Sequence, residues 1–316
     1  MDRNKLFTNT FAIVVLALIC NALWGSAFPC IKLGYEWFNV ETTPDKILFA
    51  GMRFAIAGML VIIFNSILHK RFITPESLSD WKRVFILCMF QTVLQYLFFY
   101  IGLSNTSGVK ASIVEGSNVF VSIIIAALVP TSFFGKKDKL SLRVILGCLI
   151  GFAGVVIVNL KPEGLDAAFK LTGEGFVFIS TFAYGFSTVL IKKYAIQSDT
   201  VMLSGWQFFT GGLIMVVIGV FAGGQIHTVT CKGIEMLMYL ALISAVAYTL
   251  WGILLKYNPV SKIAVFGFSN PVFGVILSAI LLGEGSVLNI KCIMALILVC
   301  AGIYLVNKGD ANRKQV

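Results

Sequence analysis

The sequence is poor in the groups that carry catalysis or metal binding. Histidine occurs only twice, at His69 and His227, and the seven cysteines show no CxxC spacing. Neither a zinc-protease signature nor a disulfide framework is present. No G-x-x-x-x-G-K-[ST] sequence occurs, so a P-loop for ATP coupling is excluded. We therefore expect no metal, no cofactor and no enzymatic activity.

Charge is also scarce, and apolar residues take its place. Charged residues make up 13% of the chain and hydrophobic residues 58%, with a mean hydropathy of +0.90. These values are typical of a membrane protein and not of a soluble domain. The net charge of +10 comes from Lys and Arg residues in short groups between apolar runs. That distribution indicates membrane orientation and a lipid bilayer as partner, with no nucleic acid.

Ten segments have about the length that a helix needs to cross a bilayer, which is roughly 20 apolar residues. The connections between them are short, so we predict an all-α membrane protein with a single transport domain over residues 1–316. The approximate limits of the segments are 11–33, 46–68, 83–103, 108–130, 141–160, 174–192, 201–223, 234–255, 261–282 and 288–307.

The second half of the sequence repeats the first. Residues 53–58 match residues 207–212, and residues 110–118 match residues 262–270, so that Asn118 corresponds to Asn270. Gly25 corresponds to Gly185 by the offset that aligns the surrounding isoleucine and lysine positions. We predict two repeats of five helices each, over residues 11–160 and 172–307.

The distribution of basic residues predicts the orientation of these repeats. Of the 25 Lys and Arg residues, 17 fall in segments that are cytoplasmic if the N-terminus is cytoplasmic, 7 fall in outer segments, and Arg53 lies within a span. The positive-inside rule then places both termini in the cytoplasm. We expect the protein to lie in the plasma membrane. With five spans per repeat, the two repeats have opposite topology. Inverted repeats are the architecture of many secondary transporters, which bind substrate near the midplane.

Several short motifs in this order resemble the EamA-type transporters of the drug/metabolite transporter superfamily. They are W-G-S-x-F-P at residues 24–29, Arg53-Phe54, and N-P-V-F to L-L-G-E at residues 270–284. The resemblance implies export of small metabolites, often amino acids or related compounds, by alternating access around a central cavity. One departure is that Gly135-Lys136 stands where the family commonly has a G-E pair like Gly283-Glu284.

Arg53 and Glu115 are the charged residues that we single out within spans. A charge at the centre of a membrane helix costs roughly 2.5 to 3.5 kcal/mol on insertion scales, so a functional or structural partner is expected. The rise per residue places both at a similar depth. Either the two side chains pair, or Glu115 titrates during transport while Arg53 binds a carboxylate. The structural alternatives are a fixed ion pair, or an Arg53 that caps backbone carbonyls.

Two prolines within spans predict kinks, because proline has no amide to donate to the carbonyl four residues back. Pro29 frees the carbonyl of Gly25, and Pro271 frees that of Gly267. Val119 stands where the first repeat would match Pro271, so the second repeat is expected to flex more. Each proline marks either a gating kink that lines the pathway or a static kink packed against neighbouring helices.

Polar and aromatic side chains deep in the spans are candidates for a cavity lining, with lipid-facing or core packing as the alternative. An aromatic wall with a few polar groups suits a small, partly apolar metabolite. The predicted cavity residues are Trp24, Arg53, Tyr96, Glu115, Asn118, Tyr184, Gln207, Tyr248, Trp251 and Asn270.

The sequence thus predicts a secondary transporter of small organic metabolites, in the direction of export. Proton coupling through Glu115 and uncoupled facilitated transport both fit, as do a monomer and a homodimer. The alternative is a non-transporting membrane scaffold or a lipid-modifying membrane enzyme. A scaffold predicts no continuous polar track through the spans, whereas a transporter predicts that Arg53, Glu115, Asn118 and Asn270 converge on one cavity.

Overall fold

The structure is a computed structural model that describes residues 7–106, 111, 114–129, 140–159, 170–281 and 290–311. The Gly135-Lys136 and Gly283-Glu284 pairs lie outside these residues, as does the start of the predicted fourth span at 108–110.

The described chain is helical, and its helices follow the predicted spans to within a few residues where both are described. We number them in chain order. They are α1 (Thr10–Phe38), α2 (Thr43–His69), α3 (Leu78–Asn105), α4 (Val114–Leu128), α5 (Leu142–Asn159), α6 (Leu171–Gln197), α7 (Thr200–Phe221), α8 (Cys231–Tyr257), α9 (Val260–Leu281) and α10 (Ile290–Ala311).

Side-chain caps mark where several helices begin. Asn9 accepts the amides of Phe11 and Ala12 at the start of α1. Thr42 and Asp45 form a capping box at the start of α2. Because these side chains accept amides that have no partner inside the helix, each helix start is defined by the local sequence.

Three helices depart locally from α geometry, and one of them, α6, begins with a π-helical segment, Leu171–Gly175. The middle of α3, Cys88–Leu94, is a π-helical segment, and α9 contains a 3-10 turn, Val265–Phe268, directly before Ser269. The 3-10 turn precedes Pro271, whose missing amide cannot sustain a regular α turn there. The amide of Ser269 is directed at the carbonyls of Phe266 and Gly267.

Seven helices are long and apolar enough to cross a membrane, namely α1, α2, α3, α6, α7, α8 and α9. The other three helices, α4, α5 and α10, contain shorter apolar stretches, namely Val114–Leu128, Leu142–Ile157 and Ile293–Asn307. The described part of the chain contains no strand. Ten crossings in two inverted repeats remain a prediction.

Helices α2 and α7 pack closely against each other and run antiparallel. A methyl group on Gly58 would collide with the backbone of Phe209 on α7, and one on Gly212 with the backbone of Ala55 on α2. Gly51 meets Val216 in the same way at the other end of the contact. Glycine at these positions allows the two backbones to touch, as small residues do between membrane helices.

Helices α5 and α10 also pack antiparallel through glycine. Gly147 faces Val306 and the carbonyl of Gly302, while Gly154 faces the carbonyl of Ala295. The glycines on this face of α5 therefore serve helix packing.

Two further contacts involve the aligned glycines of the repeat. Gly25 on α1 lies against Phe273 and Gly274 on α9, and Gly185 on α6 lies against Val121 and Ser122 on α4. Since α1 aligns with α6 and α9 with α4, the first helix of each half packs on the fourth helix of the other half.

Polar contacts tie the bundle together at both of its ends. We call the end where α1 leads into α2 the first face. There the amides of Thr42 and Gln225 donate to Asp45 at 2.9 and 2.8 Å. We call the end where α2 leads into α3 the second face. There Trp206 Nε1 donates to the carbonyl of Ile73 at 3.0 Å, and Arg83 donates to Ser198 Oγ at 2.7 Å.

Candidate functional site

A cavity of about 90 Å³ lies in the middle of the bundle and extends toward the first face. Seven helices, α1, α2, α3, α4, α6, α8 and α9, contribute to its wall. The lining residues are Asn21, Trp24, Ala27, Phe28, Ile31, Arg53, Gln95, Tyr96, Phe99, Tyr100, Glu115, Asn118, Tyr184, Tyr248, Gly267 and Asn270.

Arg53 is the cationic group of this cavity. Its side chain is only 3% exposed, and its Nε donates to Ser244 Oγ at 2.9 Å and to the carbonyl of Leu240 at 3.3 Å. Both partners belong to α8, so one edge of the guanidinium is anchored across the bundle. The guanidinium carbon also lies 5.2 Å from the centre of the Phe54 ring. The Tyr100 hydroxyl also interacts with the guanidinium, and the N–H groups that neither α8 nor Tyr100 engages can meet an anion.

Glu115 supplies the carboxylate of the same cavity from α4. Among the described residues, no ion pair joins it to Arg53. The predicted pairing is therefore not seen, because Arg53 is held by α8 instead. The cavity thus carries a cation and a carboxylate that are not neutralised by each other.

Four aromatic rings fill the centre of the bundle beside the cavity. Phe54 and Phe208 stack at 5.5 Å, while Tyr96 lies 4.4 Å from Phe54 and Tyr248 lies 4.8 Å from Phe208. The hydroxyls of Tyr96 and Tyr248 are hydrogen-bonded to each other. We call these four residues the central quartet. Trp24 packs against it through Tyr248 at 4.8 Å.

Several buried polar atoms of the cavity wall have no hydrogen-bond partner among the described residues. They are the amide oxygens of Asn21, Gln95 and Asn270 and the indole Nε1 of Trp24. A buried polar group without a partner costs about 1–3 kcal/mol. These atoms are therefore available to a ligand that offers hydrogen-bond donors and an acceptor.

The structure brings eight of the ten predicted cavity residues to one wall and places two elsewhere. Gln207 accepts a hydrogen bond from Thr92 at 2.9 Å on the second-face side of the central quartet. Trp251 is buried next to the cavity, with its ring 5.1 Å from that of Trp24. Trp251 lies about one helical turn from Tyr248, nearer the second face, which takes it off the cavity surface. The eight predicted residues on the cavity wall are Trp24, Arg53, Tyr96, Glu115, Asn118, Tyr184, Tyr248 and Asn270.

The two prolines sit beside the wall. Pro29 is buried inside α1 between the lining residues Phe28 and Ile31, and Pro271 follows the lining residue Asn270. Their proposed part in gating stays a prediction.

Sequence reasoning missed some of the wall, and a signal existed for part of it. Asn21 is a buried amide in an otherwise apolar run, one turn before Trp24, so the period of a helix would have placed it on the same face. Ser244, which anchors Arg53, is one small hydroxyl among many and carries no such signal. Among the described residues, no group of three or more His, Cys, Asp or Glu side chains could hold a metal ion.

Comparison with known families agrees with this arrangement. The EamA-like transporter family matches the chain in two segments, residues 11–160 and residues 171–308. The chain belongs to this EamA family. It is therefore a membrane transporter by family, and its apolar helices make it a multi-pass integral membrane protein. The predicted resemblance to the EamA-type transporters of the drug/metabolite transporter superfamily is confirmed.

Known relatives of this EamA protein cover most of its length. An uncharacterized transporter of Archaeoglobus fulgidus is 25% identical over 92% of this chain and 96% of its own. A WAT1-related chloroplastic protein of Arabidopsis thaliana is 22% identical over 92% of this chain and 68% of its own. Protein PecM of Dickeya dadantii is 23% identical over 81% of this chain and 82% of its own.

A solved crystal structure shares the fold. It superposes with a TM-score of 0.78 and 15% sequence identity, over 98% of this chain and all of that chain.

Proposed function

We propose that this EamA protein is a secondary transporter of small zwitterionic metabolites, such as amino acids or related compounds. The observation that supports this proposal is the cavity with separate charges: Arg53 anchored on α8, Glu115 on α4, and no ion pair between them. A substrate carboxylate fits the free part of the guanidinium fork. A substrate ammonium fits Glu115 and the unpartnered amide oxygens of Asn21, Gln95 and Asn270.

The size of the cavity bears on how the substrate passes. A volume of about 90 Å³ is below the roughly 300–1,000 Å³ of sites for drug-sized ligands. The substrate is therefore small, and the wall widens to admit it. Polar contacts join helices at both ends of the described part of the bundle, and we assign this small cavity to a narrow state of an alternating-access cycle.

The packing supports an inverted repeat for this cycle. Helices α2 and α7, which align between the halves, pack antiparallel, as do α5 and α10. The contact of α1 with α9 recurs as that of α6 with α4. Two halves related by a two-fold axis in the membrane plane produce such contacts. We extend the proposal to ten crossings, with both termini in the cytoplasm of a cell that carries the protein in its plasma membrane.

We propose export as the direction, because the family resemblance implies it. Glu115 lies on the wall without a cationic partner among the described residues, so it is the group that would carry a proton if transport is coupled to one. An imposed pH gradient distinguishes this coupling from facilitated transport: coupled efflux changes with the gradient and uncoupled efflux does not.

The proposal is tested with the full-length protein in liposomes loaded with an equimolar mixture of the twenty amino acids. Efflux of each amino acid is followed by mass spectrometry. The same measurement is made for the corresponding amines, which lack the carboxylate, and for the corresponding carboxylic acids, which lack the ammonium group. We expect zwitterions to leave at least about tenfold faster than their singly charged analogues, because hydrogen bonds to charged groups contribute roughly 1.5–3 kcal/mol.

Variants of the two charged residues complete this test. Arg53→Gln and Glu115→Gln should each reduce efflux about tenfold or more, while Arg143→Gln, at an exposed position on α5, serves as the matched control and should not. Efflux of no amino acid, or equal efflux from wild type and both cavity variants, would contradict the proposal.

A further inference from the structure

A second, much smaller pocket lies on the other side of the central quartet, toward the second face. Its volume is about 10 Å³, which is close to the space of one water molecule. It is formed by α3, α6 and α7, and its lining residues are Leu87, Gln91, Ile191, Ala195, Thr200, Leu203, Ser204 and Gln207.

Two buried polar atoms of this pocket have no hydrogen-bond partner in the described part of the chain. They are Gln207 Nε2 and Thr200 Oγ1, on side chains of residues that are 1% and 5% exposed. The hydroxyl of Thr92 already donates to Gln207 Oε1 at 2.9 Å, so the amide is oriented with its NH₂ group free. A donor amide and a hydroxyl side by side bind an oxygen acceptor such as a carboxylate.

The pocket repeats the geometry around Arg53. Residues 53 and 207 occupy matching positions in the two halves. The offset that aligns Lys110 with Lys262 also aligns Thr92 with Ser244. The hydrogen bond of Gln207 with Thr92 is therefore the counterpart of the hydrogen bond of Arg53 with Ser244. The two polar contacts flank the central quartet, one toward each face.

We propose that this pocket is a second binding station for the substrate's carboxylate, held by Gln207 and Thr200 when the second face is open. The inference rests on the transport function proposed above. In an alternating-access cycle the substrate must be accepted from both faces, and the matching position of Gln207 places a carboxylate-binding group on the second side. The pocket is small in this structure, so the helices that line it must separate before a carboxylate can enter.

The two stations differ in charge, and this difference predicts an asymmetric transporter. Arg53 offers a charged donor and Gln207 a neutral one, and charge-assisted hydrogen bonds are roughly twice as strong as neutral ones. The wild-type protein should therefore need a higher substrate concentration for half-maximal transport from the second face than from the first.

The test uses the amino acid that the wild-type protein moves fastest from the twenty-component mixture. The half-saturating concentration is measured separately for influx and for efflux in proteoliposomes. Orientation is scored with a membrane-impermeant maleimide on Cys231, which is exposed at the first face, with Cys231→Ser as the labelling control. The variants are Gln207→Met and Thr200→Val, which remove the donors while keeping the side-chain size.

Gln207→Met should raise the half-saturating concentration from the second face about tenfold and leave that from the first face within twofold. Thr200→Val should also raise the half-saturating concentration from the second face. Gln207→Arg should reduce the difference between the half-saturating concentrations of the two faces. The matched control is Asn307→Leu, which removes another buried amide with an unpartnered oxygen away from both pockets. It should change neither value.

Two outcomes would overturn the second station and leave the proposed function intact, provided that the wild-type protein transports the amino acid. In one, the variants change the half-saturating concentration equally at both faces. In the other, neither Gln207→Met nor Thr200→Val changes it. The pocket would then hold a structural water only. Failure of the wild-type protein to move any amino acid would overturn both the proposed function and the station that rests on it. Transport at saturating substrate shows that each variant is folded.

Discussion

The hydroxyls of Tyr96 and Tyr248 are hydrogen-bonded to each other at the centre of the protein, and the two residues occupy matching positions in the two halves of the sequence. Phe54 and Phe208, which stack on each other, also match. When two halves are related by a two-fold axis, a contact between equivalent residues lies on that axis. The central quartet would thus lie on the two-fold axis of the proposed inverted repeat. It separates the cavity of Arg53 from the pocket of Gln207.

The tyrosine pair should contribute to stability as a unit. Tyr96→Phe and Tyr248→Phe each remove one hydroxyl and leave the other without its partner, so each should lower the free energy of unfolding by about 1 kcal/mol. The double variant should be little worse than either single one, because both remove the same hydrogen bond. Thermal unfolding in detergent measures this cycle, with Tyr257→Phe as control. Strictly additive losses would show that the two hydroxyls do not interact.

Ser244 should act on substrate binding through Arg53. Its hydroxyl lies 2.9 Å from Arg53 Nε and holds the guanidinium against α8. Ser244→Ala frees the guanidinium to move, so the half-saturating concentration for efflux should rise roughly threefold to tenfold with little change in the maximal rate. Ser180→Ala is the control, since Ser180 is a buried serine whose hydroxyl donates to the carbonyl of Val177 in its own helix. An unchanged half-saturating concentration would argue against this positioning role.

Close packing of α2 on α7 should tolerate no side chain at its glycines. Gly58→Ala and Gly212→Ala place a methyl group against backbone atoms of the opposite helix, so each should destabilise the protein by about 2 kcal/mol or more. In Gly252→Ala the nearest atom is a methyl of Thr200 at 3.0 Å, which can shift, and the loss should be smaller. Thermal midpoints in detergent rank the three variants. A Gly58→Ala protein as stable as the wild type would mean that the helices do not touch there.

Asp45 should hold the first face together. It is 1% exposed, and it accepts the amide of Gln225 in the α7–α8 connection as well as that of Thr42 in its own capping box. Asp45→Asn replaces an acceptor oxygen with a donor, which leaves amides unpaired and should cost about 1–3 kcal/mol locally. Hydrogen exchange of residues 225–230 should then become faster, whereas Glu41→Gln, at an exposed position nearby, should have no effect. Unaltered protection would show that Asp45 does not secure this connection.

Pro271 should matter more for the rate of transport than Pro29. The 3-10 turn before Pro271 ends at the cavity wall, and replacing the proline with alanine restores an amide that can extend the α-helix. Pro271→Ala should therefore lower the maximal rate of efflux severalfold with a similar half-saturating concentration. Pro29→Ala, within a helix that is α-helical on both sides, should have a smaller effect. Equal effects of both substitutions would contradict the expected difference between the halves.

Much of the candidate site was readable from polarity within apolar runs. Arg53, Glu115, Asn118 and Asn270 stand out in such runs, and the structure places all four on one wall. Gln207 stands out equally, yet it lies in the other pocket. A repeat alignment gives Arg53 and Gln207 the same place in their own halves, but it does not say which side of the bundle each half presents.

The sequence by itself determined that the chain is helical and spans a membrane, since the length and apolar character of each segment depend only on local composition. It also predicted the repeat, because matching residues can be counted along the chain. Only the tertiary structure decided the partners. Arg53 is anchored by Ser244, from a helix nearly two hundred positions away, and not by Glu115. Which side chains meet depends on the rotation and close approach of whole helices, and these are decided by packing across the bundle.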